Sequence, residues 1–363
     1  MINQIYFERI NKLKNLIKSK DEAILLTNEL NIEYFCGFRH SEGSMLITVD
    51  ETYLFVDFRY IEAAQSYAKN CKVICFKKFI SDLSGKLLSN AVKYLYFETE
   101  NISVAKYFNI KKELQKINVD CVADSKVDEK ISEVRIIKSK FELDKIQKAQ
   151  QIAESAYNEI LNYIKSGVSE RKIAVEFEYL MKKNGAEDIS FDLITITGKK
   201  TSLPHGVPSN DVIQNGDFFT MDFGAVYDGY HSDTTRTVAV GYADDEMQKV
   251  YDIVLKAQLS ALGTVKDGVL CSEVDRSARS VIEENGYGKY FGHATGHGVG
   301  LEIHEAPTVS PKSNTILKSG MVITDEPGIY LPKKFGVRIE DMIYVTENGY
   351  VNFVTLPKEL VIL

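Results

Sequence analysis

The stretch FFTMDFGAVYDGYHSDTTRTVAV, residues 218–240, predicts a β-hairpin relative to which the rest of the chain can be placed. The dipeptide Asp228-Gly229 is a two-residue turn signal, because both central positions of such a turn need a positive φ angle that Asp and Gly tolerate. We therefore expect two antiparallel strands joined by a tight turn.

This turn also predicts the register of the hairpin. With Tyr227 opposite Tyr230, Asp222 falls opposite Thr235. Side chains alternate between the two faces of a strand, so Asp233 points to the same face as Thr235. Asp222 and Asp233 then become diagonal neighbours, about 7 to 8 Å apart at Cα, a separation that two carboxylates can span with a cation between them.

The two aspartates have two interpretations. On a sheet with one open face they would be ordinary solvated residues. Two observations argue against solvated residues. Gly224 and Gly229 leave the backbone beside the acids without side chains, and two buried like charges repel unless a cation or proton neutralises them. The opposite face of the hairpin is apolar, with Phe219, Met221, Phe223 and Ala225.

The composition excludes several classes of protein. A chain of 363 residues is long enough for two domains, since single cores stop growing near about 250 to 300 residues. A hydrophobic share of 44%, a charged share of 26% and a mean hydropathy of -0.16 argue against disorder and against a membrane protein. The net charge of -7 argues against a nucleic-acid partner.

The compartment predicted from the sequence is the cytoplasm. No apolar stretch approaches the roughly 18 residues of a membrane span, and residues 1–20 are charged and amphipathic, unlike a signal peptide. The cysteines are odd in number and scattered through apolar segments, which favours buried, reduced thiols over disulfides. They are Cys36, Cys71, Cys75, Cys121 and Cys271.

Residues 1–125 alternate helical and extended patterns, which predicts an α/β domain. This part clusters no metal-ligating residues and has no glycine-rich phosphate loop. Its single histidine, His40, is expected to be an exposed loop residue. The polar run VADSKVDEK, residues 122–130, predicts a boundary, so the second domain is expected to span residues 126–363.

The second domain is predicted to be α+β, with an internal duplication. Ser139 and Glu142 form a capping box that begins a long helix. A second helix over residues 169–184 and then the hairpin follow. The same order recurs with helices over 245–265 and 272–285. Ser169 to Ser272, Asp222 to Glu326 and Asp233 to Glu340 span 103, 104 and 107 residues, which predicts a carboxylate pair in each half, meeting across a pseudo-twofold axis.

Five side chains form the candidate metal site: Asp222, Asp233, His297, Glu326 and Glu340. Four carboxylates carry a charge of -4, which two divalent cations balance. One imidazole and no thiolate favour Mn²⁺, Co²⁺, Fe²⁺ or Zn²⁺. Two such ions about 3.5 to 4 Å apart can bridge a hydroxide and polarise a carbonyl.

These residues resemble the pita-bread metallopeptidases, the family of methionine aminopeptidase, aminopeptidase P and prolidase. The resemblance covers about residues 135–357 through LPHG, MDFG, HSDTTR, GHGVG, EPGIY and VRIED. Residues 1–125 are similar to the creatinase-type domain through NIEYFCGF and VDFRYIEAA. Methionine aminopeptidase generally lacks that domain, and creatinase lacks the metal ligands that this chain keeps.

The resemblance implies a role for each candidate ligand. Asp222 would bind one metal ion through both oxygens, and Asp233 and Glu340 would bridge both ions. His297 and Glu326 would complete the second ion. Glu326 would also move protons between the bridging water and the leaving nitrogen.

Further residues receive roles by the same resemblance. His205, His293 and His304 would grip the substrate backbone or stabilise the tetrahedral intermediate. Arg338 would face the ligand, whereas without the resemblance it is a salt-bridge partner of Asp341 or Glu340. His231 is assigned no role beyond structure. Asp325 stands where many relatives have an uncharged residue, and either faces away or tunes the metal site.

The predicted function is an Xaa-Pro aminopeptidase with two divalent metal ions, most simply Mn²⁺, acting on peptides with proline in second position. The alternative is a prolidase restricted to Xaa-Pro dipeptides, which shares these motifs. A rival of another class is a non-catalytic binding module on the same fold, which usually loses ligands. The resemblance further implies a homodimer, and nothing in the sequence indicates a membrane or nucleic-acid role.

Overall fold

The computed structural model describes residues 2–39 and 42–363. The predicted exposure of His40 therefore lies outside the described residues. The chain divides into two units, Met1–Arg135 and Ile136–Leu363. None of the helices in the described part of the chain combines the length and apolar character that crossing a bilayer requires.

The first unit is an α/β domain, which confirms the predicted class. Its six strands form one mixed sheet in the order β4-β3-β2-β1-β5-β6. The helices are α1 (Ile2–Lys14), α2 (Glu29–Cys36), α3 (Ile61–Tyr67), α4 (Phe79–Ser89), α5 (Val104–Leu114) and α6 (Lys126–Arg135). The strands are β1 (Glu22–Leu26), β2 (Ser44–Thr48), β3 (Thr52–Val56), β4 (Lys72–Cys75), β5 (Tyr94–Phe97) and β6 (Asp120–Val122).

The polar run over residues 122–130 leads into α6, which packs within the first unit. Tyr34 donates its hydroxyl to Val134 O at 2.9 Å. Arg135 donates from Nη1 to the amide oxygen of Asn31, also at 2.9 Å, and both groups are buried. These bonds tie the end of α6 to α2.

All five cysteines are free thiols. Cys36 and Cys271 are buried, as the sequence predicts, but the prediction is wrong for Cys75, which is exposed. The reason is the place of its strand, because β4 lies at the edge of the sheet and is only partly covered along its length.

The second unit combines four helices with short strands, as predicted. The helices are α7 (Lys140–Ile160), α8 (Glu170–Lys183), α9 (Asp245–Thr264) and α10 (Cys271–Glu284). The first-half strands are β7 (Asp188–Ile189), β8 (Ile194–Thr197), β9 (Phe218–Phe223), β10 (Ala225–Tyr227), β11 (Tyr230–His231) and β12 (Thr234–Ala239). The second-half strands are β13 (Gly296–Gly298), β14 (Glu305–Val309), β15 (Val322–Asp325), β16 (Gly328–Leu331), β17 (Phe335–Arg338), β18 (Asp341–Thr346) and β19 (Gly349–Asn352).

The central hairpin has the predicted register, with Tyr227 opposite Tyr230 and Asp222 opposite Thr235. Its ladder is nevertheless broken in the middle, so that β9 and β12 belong to one sheet while β10 and β11 belong to another. At the break the backbones approach closely, and a Cβ added to Gly224 would lie 1.9 Å from Ser232 O. Asp233 lies in this break, between β11 and β12.

The second half repeats this design, which confirms the predicted duplication of elements. The hairpin β15–β18 breaks between β15 and β16 and again between β17 and β18. Asp325 pairs with Asp341 and Gly328 with Arg338, so the register places Glu326 opposite Glu340. Glu340 therefore lies in the second break, between β17 and β18, and not on a strand.

Counted from the turns, the second acids of the two pairs occupy different ladder positions. The first hairpin turns through two residues, whereas residues 332–334 make a three-residue loop in the second. When the turns are aligned, Asp222 matches Glu326, Thr235 matches Glu340, and Asp233 matches Arg338. Counted from the breaks, Asp233 and Glu340 correspond as predicted, since each directly precedes the strand that follows its break, β12 or β18.

Aromatic packing fixes the back of the first hairpin. The ring of Phe223 stacks on Tyr157 of α7 at 5.4 Å and lies 4.8 Å from Phe177 of α8. The second hairpin packs Ile323, Val337 and Ile343 into a core with α9 and α10. Because these apolar faces point to the helices, the acidic side chains are left on the other side.

We predict that Gly224→Ala lowers the free energy of unfolding by about 3 kcal/mol or more, because the added methyl group overlaps a backbone oxygen. The matched control is Gly263→Ala in α9, where an added Cβ meets nothing within 4 Å. That variant should be more stable by about 0.5 to 1 kcal/mol. Equal midpoints for the two variants in denaturant unfolding would contradict the role of the break.

Candidate metal centre

All nine predicted site residues line one cavity of about 460 Å³. They are His205, Asp222, Asp233, His293, His297, His304, Glu326, Arg338 and Glu340. A larger open groove of about 870 Å³ lies along α7 and α8 and contains none of them. The cavity therefore gathers residues that are up to 135 positions apart in the chain, between His205 and Glu340.

The carboxylates reach the cavity from the places where the two hairpins break or are about to break. Asp222 is the penultimate residue of β9, and Asp233, Glu326 and Glu340 lie in the breaks themselves. Asp233 and Glu340 are only 4% and 2% exposed. The breaks in the ladders direct these four side chains into the same cavity.

His297 faces the carboxylates through Nε2. Its Nδ1 lies 3.0 Å from Gly298 O, an acceptor, so Nδ1 is a donor and Nε2 is the nitrogen that remains for the cavity. Nε2 lies 3.4 Å from Asp233 Oδ2 and 3.5 Å from Glu326 Oε1. This arrangement is attractive only when a proton or a cation lies between the nitrogen and the oxygens.

The loop that carries His293 and His297 is held by α10. Arg279 donates to Phe291 O and His293 O, each at 2.9 Å. Asp275 accepts from Thr295 Oγ1 at 2.8 Å and also pairs with Arg279. The backbone of the GHATGHG segment is thus fixed before any ligand binds.

The acids are close enough together, and buried enough, to shift their pKa values. Burial raises the pKa of Asp233 and of Glu340 well above the ordinary value, and repulsion from neighbouring carboxylates, Asp222 and Glu326 among them, adds to the effect. Burial also raises the pKa of Glu326. Asp222 Oδ1 is buried, and no group in the described part of the chain forms a hydrogen bond with it. These oxygens and the imidazole nitrogen are suitable donors for hard or borderline divalent cations, and one oxygen or nitrogen each from Asp233, His297 and Glu340 lie within 4.8 Å of one another.

Arg338 binds Asp222, so the alternative salt bridges to Asp341 or Glu340 are wrong. Its Nη2 lies 2.6 Å from Asp222 Oδ2, and its Nε donates to Thr235 Oγ1 at 2.9 Å. Thr235 in turn donates to Glu340 Oε2 at 2.7 Å. Asp341 points elsewhere because Arg236 and Lys358 already pair with it.

Tyr330 is a residue that the sequence analysis missed. Its hydroxyl lies 3.0 Å from Arg338 Nη1 and 2.9 Å from His293 Nε2. Burial lowers the pKa of His293 to about 4, and its Nδ1 donates to Ala294 O at 2.8 Å. His293 is therefore neutral and holds a fixed orientation. In sequence, a tyrosine on a strand indicates only β-structure, and the EPGIY motif was the available signal.

The remaining histidines differ in position. His205 and His304 are exposed at the cavity, and the His304 ring lies 4.4 Å from that of His297. His231 is not among the residues that line the cavity. Its backbone N–H donates to Gly300 O at 2.9 Å, which places it under the loop that carries His304.

Asp325 does not line the cavity either. It is fully buried on β15, directly opposite Asp341, and neither of its carboxyl oxygens has a hydrogen-bond partner among the described residues. Burial raises the pKa of Asp325 well above the ordinary value. Of the two expected alternatives, the structure shows the acid facing away from Glu326.

We predict that divalent cations raise the melting temperature more at about pH 7.5 than at about pH 5. The folded-state pKa values of Asp233 and Glu340 lie above their ordinary values of 3.8 and 4.5. In metal-free protein their contribution to stability is therefore present below those ordinary values and lost as pH rises through the raised ones. A cation binds the ionised carboxylates. At a free concentration of 100 times its dissociation constant, it stabilises the folded state by about 2.7 kcal/mol and so offsets the stability lost at high pH.

Differential scanning fluorimetry with Mn²⁺ and with a chelator measures this rise. The control is Asp233→Ala, which removes one donor and should lose most of the metal-dependent increase while remaining folded. An identical rise in the variant, or at both pH values, would show that the cation binds elsewhere.

Comparison with known proteins agrees with this geometry. Residues 144–347 match Metallopeptidase family M24, and residues 9–137 match the Creatinase/Prolidase N-terminal domain. The chain is 41% identical to an Xaa-Pro dipeptidase from Pyrococcus furiosus, over 96% of this chain and 99% of that protein.

Solved structures show the same similarity. An Xaa-Pro dipeptidase from Bacillus anthracis superposes with a TM-score of 0.94 at 40% identity, covering 99% of this chain and 100% of that one. An X-Pro aminopeptidase from Thermotoga maritima superposes with a TM-score of 0.90 at 35% identity, covering 97% and 100%. The fold, the cavity and these matches together show that the chain belongs to metallopeptidase family M24.

Proposed function

We propose that this chain is an Xaa-Pro dipeptidase, a prolidase that depends on two divalent cations. The observation that carries the proposal is the convergence of four carboxylates, His297 and Arg338 in one buried cavity. The sequence analysis favoured an aminopeptidase acting on longer peptides. The names of the relatives from Pyrococcus furiosus and Bacillus anthracis support the dipeptidase alternative instead.

The metal-binding residues we propose are those predicted from the sequence, Asp222, Asp233, His297, Glu326 and Glu340. When bound, divalent cations supply a nucleophilic water at neutral pH and polarise the scissile carbonyl. Mn²⁺ is our proposal for the native ion, with Co²⁺, Zn²⁺ and Fe²⁺ as alternatives that the same donors accept. Arg338 would hold Asp222 in place through the contact at 2.6 Å.

Glu326 is the proposed proton carrier. Burial raises its pKa, which makes its carboxylate a better proton acceptor near neutral pH. The leaving group is the proline nitrogen, which must gain a proton as the amide bond breaks. A carboxyl group that has just taken a proton from water is placed to deliver it.

The cavity wall suits a proline ring. Its apolar lining includes Phe191, Ile194, Pro204, Val207, Pro208 and Ile303. An Xaa-Pro amide has no N–H to donate and a constrained φ angle, so recognition must come from shape and from contacts to carbonyl and carboxylate oxygens. His205 and His304, exposed at the cavity, are the imidazoles we assign to those oxygens.

The second candidate is an X-Pro aminopeptidase, supported by the similarity to the Thermotoga maritima structure. A non-catalytic binding module is disfavoured because none of the nine predicted site residues is missing from the cavity. A homodimer and a cytoplasmic location stay predictions of the sequence.

We expect the Mn²⁺-loaded protein to hydrolyse Ala-Pro, and a chelator to abolish this activity. Ala-Pro-Ala distinguishes the two candidates, and Ala-Ala-Ala is the control without proline. Cleavage of Ala-Pro-Ala would show that the protein is an aminopeptidase that accepts longer peptides. In the same assay Asp233→Ala should be inactive while remaining folded, and full turnover by that variant would refute the site assignment.

We predict that Tyr330→Phe lowers kcat/KM for Ala-Pro by about tenfold, because it removes the hydroxyl that joins Arg338 to His293, at roughly 1 kcal/mol per hydrogen bond. The control is Tyr242→Phe, at an exposed tyrosine distant from the cavity lining. Metal content should stay at the wild-type level in both variants. Unchanged kinetics for Tyr330→Phe would show that the hydroxyl has no part in the site.

A further inference from the structure

The loop over residues 299–304 brings His304 to the cavity. It joins β13, which carries His297, to β14, and has no regular secondary structure. Within it Gly300 donates its N–H to Glu302 O at 3.1 Å. Val299 and Leu301 are buried and anchor its first part, and Val299 N–H donates to Val322 O at 3.3 Å.

The carboxylate of Glu305 lies against the rest of this loop. Its Oε1 accepts the N–H of Glu302 at 3.1 Å. Its Oε2 lies against Gly300, where an added Cβ would approach within 2.5 Å. The carboxylate is thus enclosed by the loop that it supports, and its side chain is 7% exposed.

A lysine from a distant part of the chain pairs with this carboxylate. Lys138 lies two residues before α7, and its Nζ is 2.8 Å from Glu305 Oε2. Its side chain is 1% exposed. The lysine is itself anchored, because its backbone N–H donates to Gly320 O at 2.7 Å.

A buried pair of this kind differs from the exposed ion pairs of the chain. Exposed pairs such as Lys334 with Glu246, at 60% and 46% side-chain exposure, contribute little to stability. Removing Lys138 takes a positive charge away from a carboxylate that is nearly closed off from water, which favours rearrangement. For Glu305 the rearrangement that regains water is opening of the loop.

We propose that Lys138 is a positioning residue, whose buried ion pair with Glu305 holds the loop over residues 299–304 closed and so sets the place of His304 at the cavity. Lys138 lies outside the cavity lining and touches none of the proposed metal ligands. Its effect on catalysis passes through His304. This consequence for catalysis rests on the proposed function, whereas the effect on the loop does not.

The first test is hydrogen exchange of the metal-loaded protein, read by mass spectrometry over the peptide that contains residues 299–305. In Lys138→Met we expect roughly tenfold faster exchange over this peptide. When the loop opens, the hydrogen bond from Glu302 N–H to the Glu305 carboxylate breaks and the amide exchanges. Lys334→Met, which loses an exposed pair, should exchange like wild type. Wild-type exchange over this peptide in Lys138→Met would overturn the proposal.

The second test is a double-mutant cycle with His304→Ala, measured as kcat/KM for Ala-Pro. Alone, Lys138→Met should lower kcat/KM about 10- to 100-fold, since displacing a positioned group has effects of that size. In the His304→Ala background it should have almost no further effect. An equal loss in both backgrounds would show a general structural role and refute positioning through His304.

A misfolded variant or an inactive wild-type protein would each leave one measurement that decides. If Lys138→Met does not fold, Glu305→Gln carries both measurements, because it keeps the shape of the side chain while removing its charge. If the wild-type protein does not cleave Ala-Pro, the proposed function fails, and the exchange measurement still decides whether Lys138 orders the loop.

Discussion

The constraint on which the second unit depends is the repulsion among four carboxylates, two buried and two partly buried, that share one cavity with Nε2 of His297. Arg338 is the single cation lining this cavity in the described part of the chain, and it is engaged by Asp222. Burial, and after it repulsion from the neighbouring carboxylates, raises the pKa of Asp233 and of Glu340 well above the ordinary value. A polypeptide holds such groups together only with a rigid frame, and the remaining features of the unit supply that frame.

The frame consists of two broken hairpins braced against each other. Arg236 crosses between them, donating from Nη1 to Thr235 O and Glu340 O at 2.9 and 2.6 Å, and from Nη2 to Asp341. This guanidinium fixes the backbone on which Glu340 is carried, on the side away from the cavity. Because the carboxylates do not attract one another, the acids are held through their backbones and by donors such as Arg338 on Asp222 and Thr235 on Glu340.

The duplication of elements is not a duplication of chemistry. At equivalent register positions the first hairpin has Asp222, Asp233 and Thr235, and the second has Glu326, Arg338 and Glu340. Hydrogen bonds connect the two hairpins at these positions. Arg338 of the second hairpin donates to Thr235 of the first, and Thr235 donates to Glu340 of the second. One half thus provides the hydroxyl and the other the cation, and neither half forms the site by itself.

The sequence by itself determined the α/β and α+β classes, the register of the central hairpin and the capping box of α7, because turn chemistry and capping are local. The candidate metal ligands came from the sequence as well, whereas His205, His293, His304 and Arg338 came from the resemblance of its motifs to a known family. The sequence did not reveal the hairpin breaks, the pairing of Arg338 with Asp222, or Tyr330 behind His293. It also gave no sign that Lys138 would meet Glu305, 167 residues further on. These contacts join segments distant in the chain, and their partners are chosen by packing and burial, which only the tertiary structure decides.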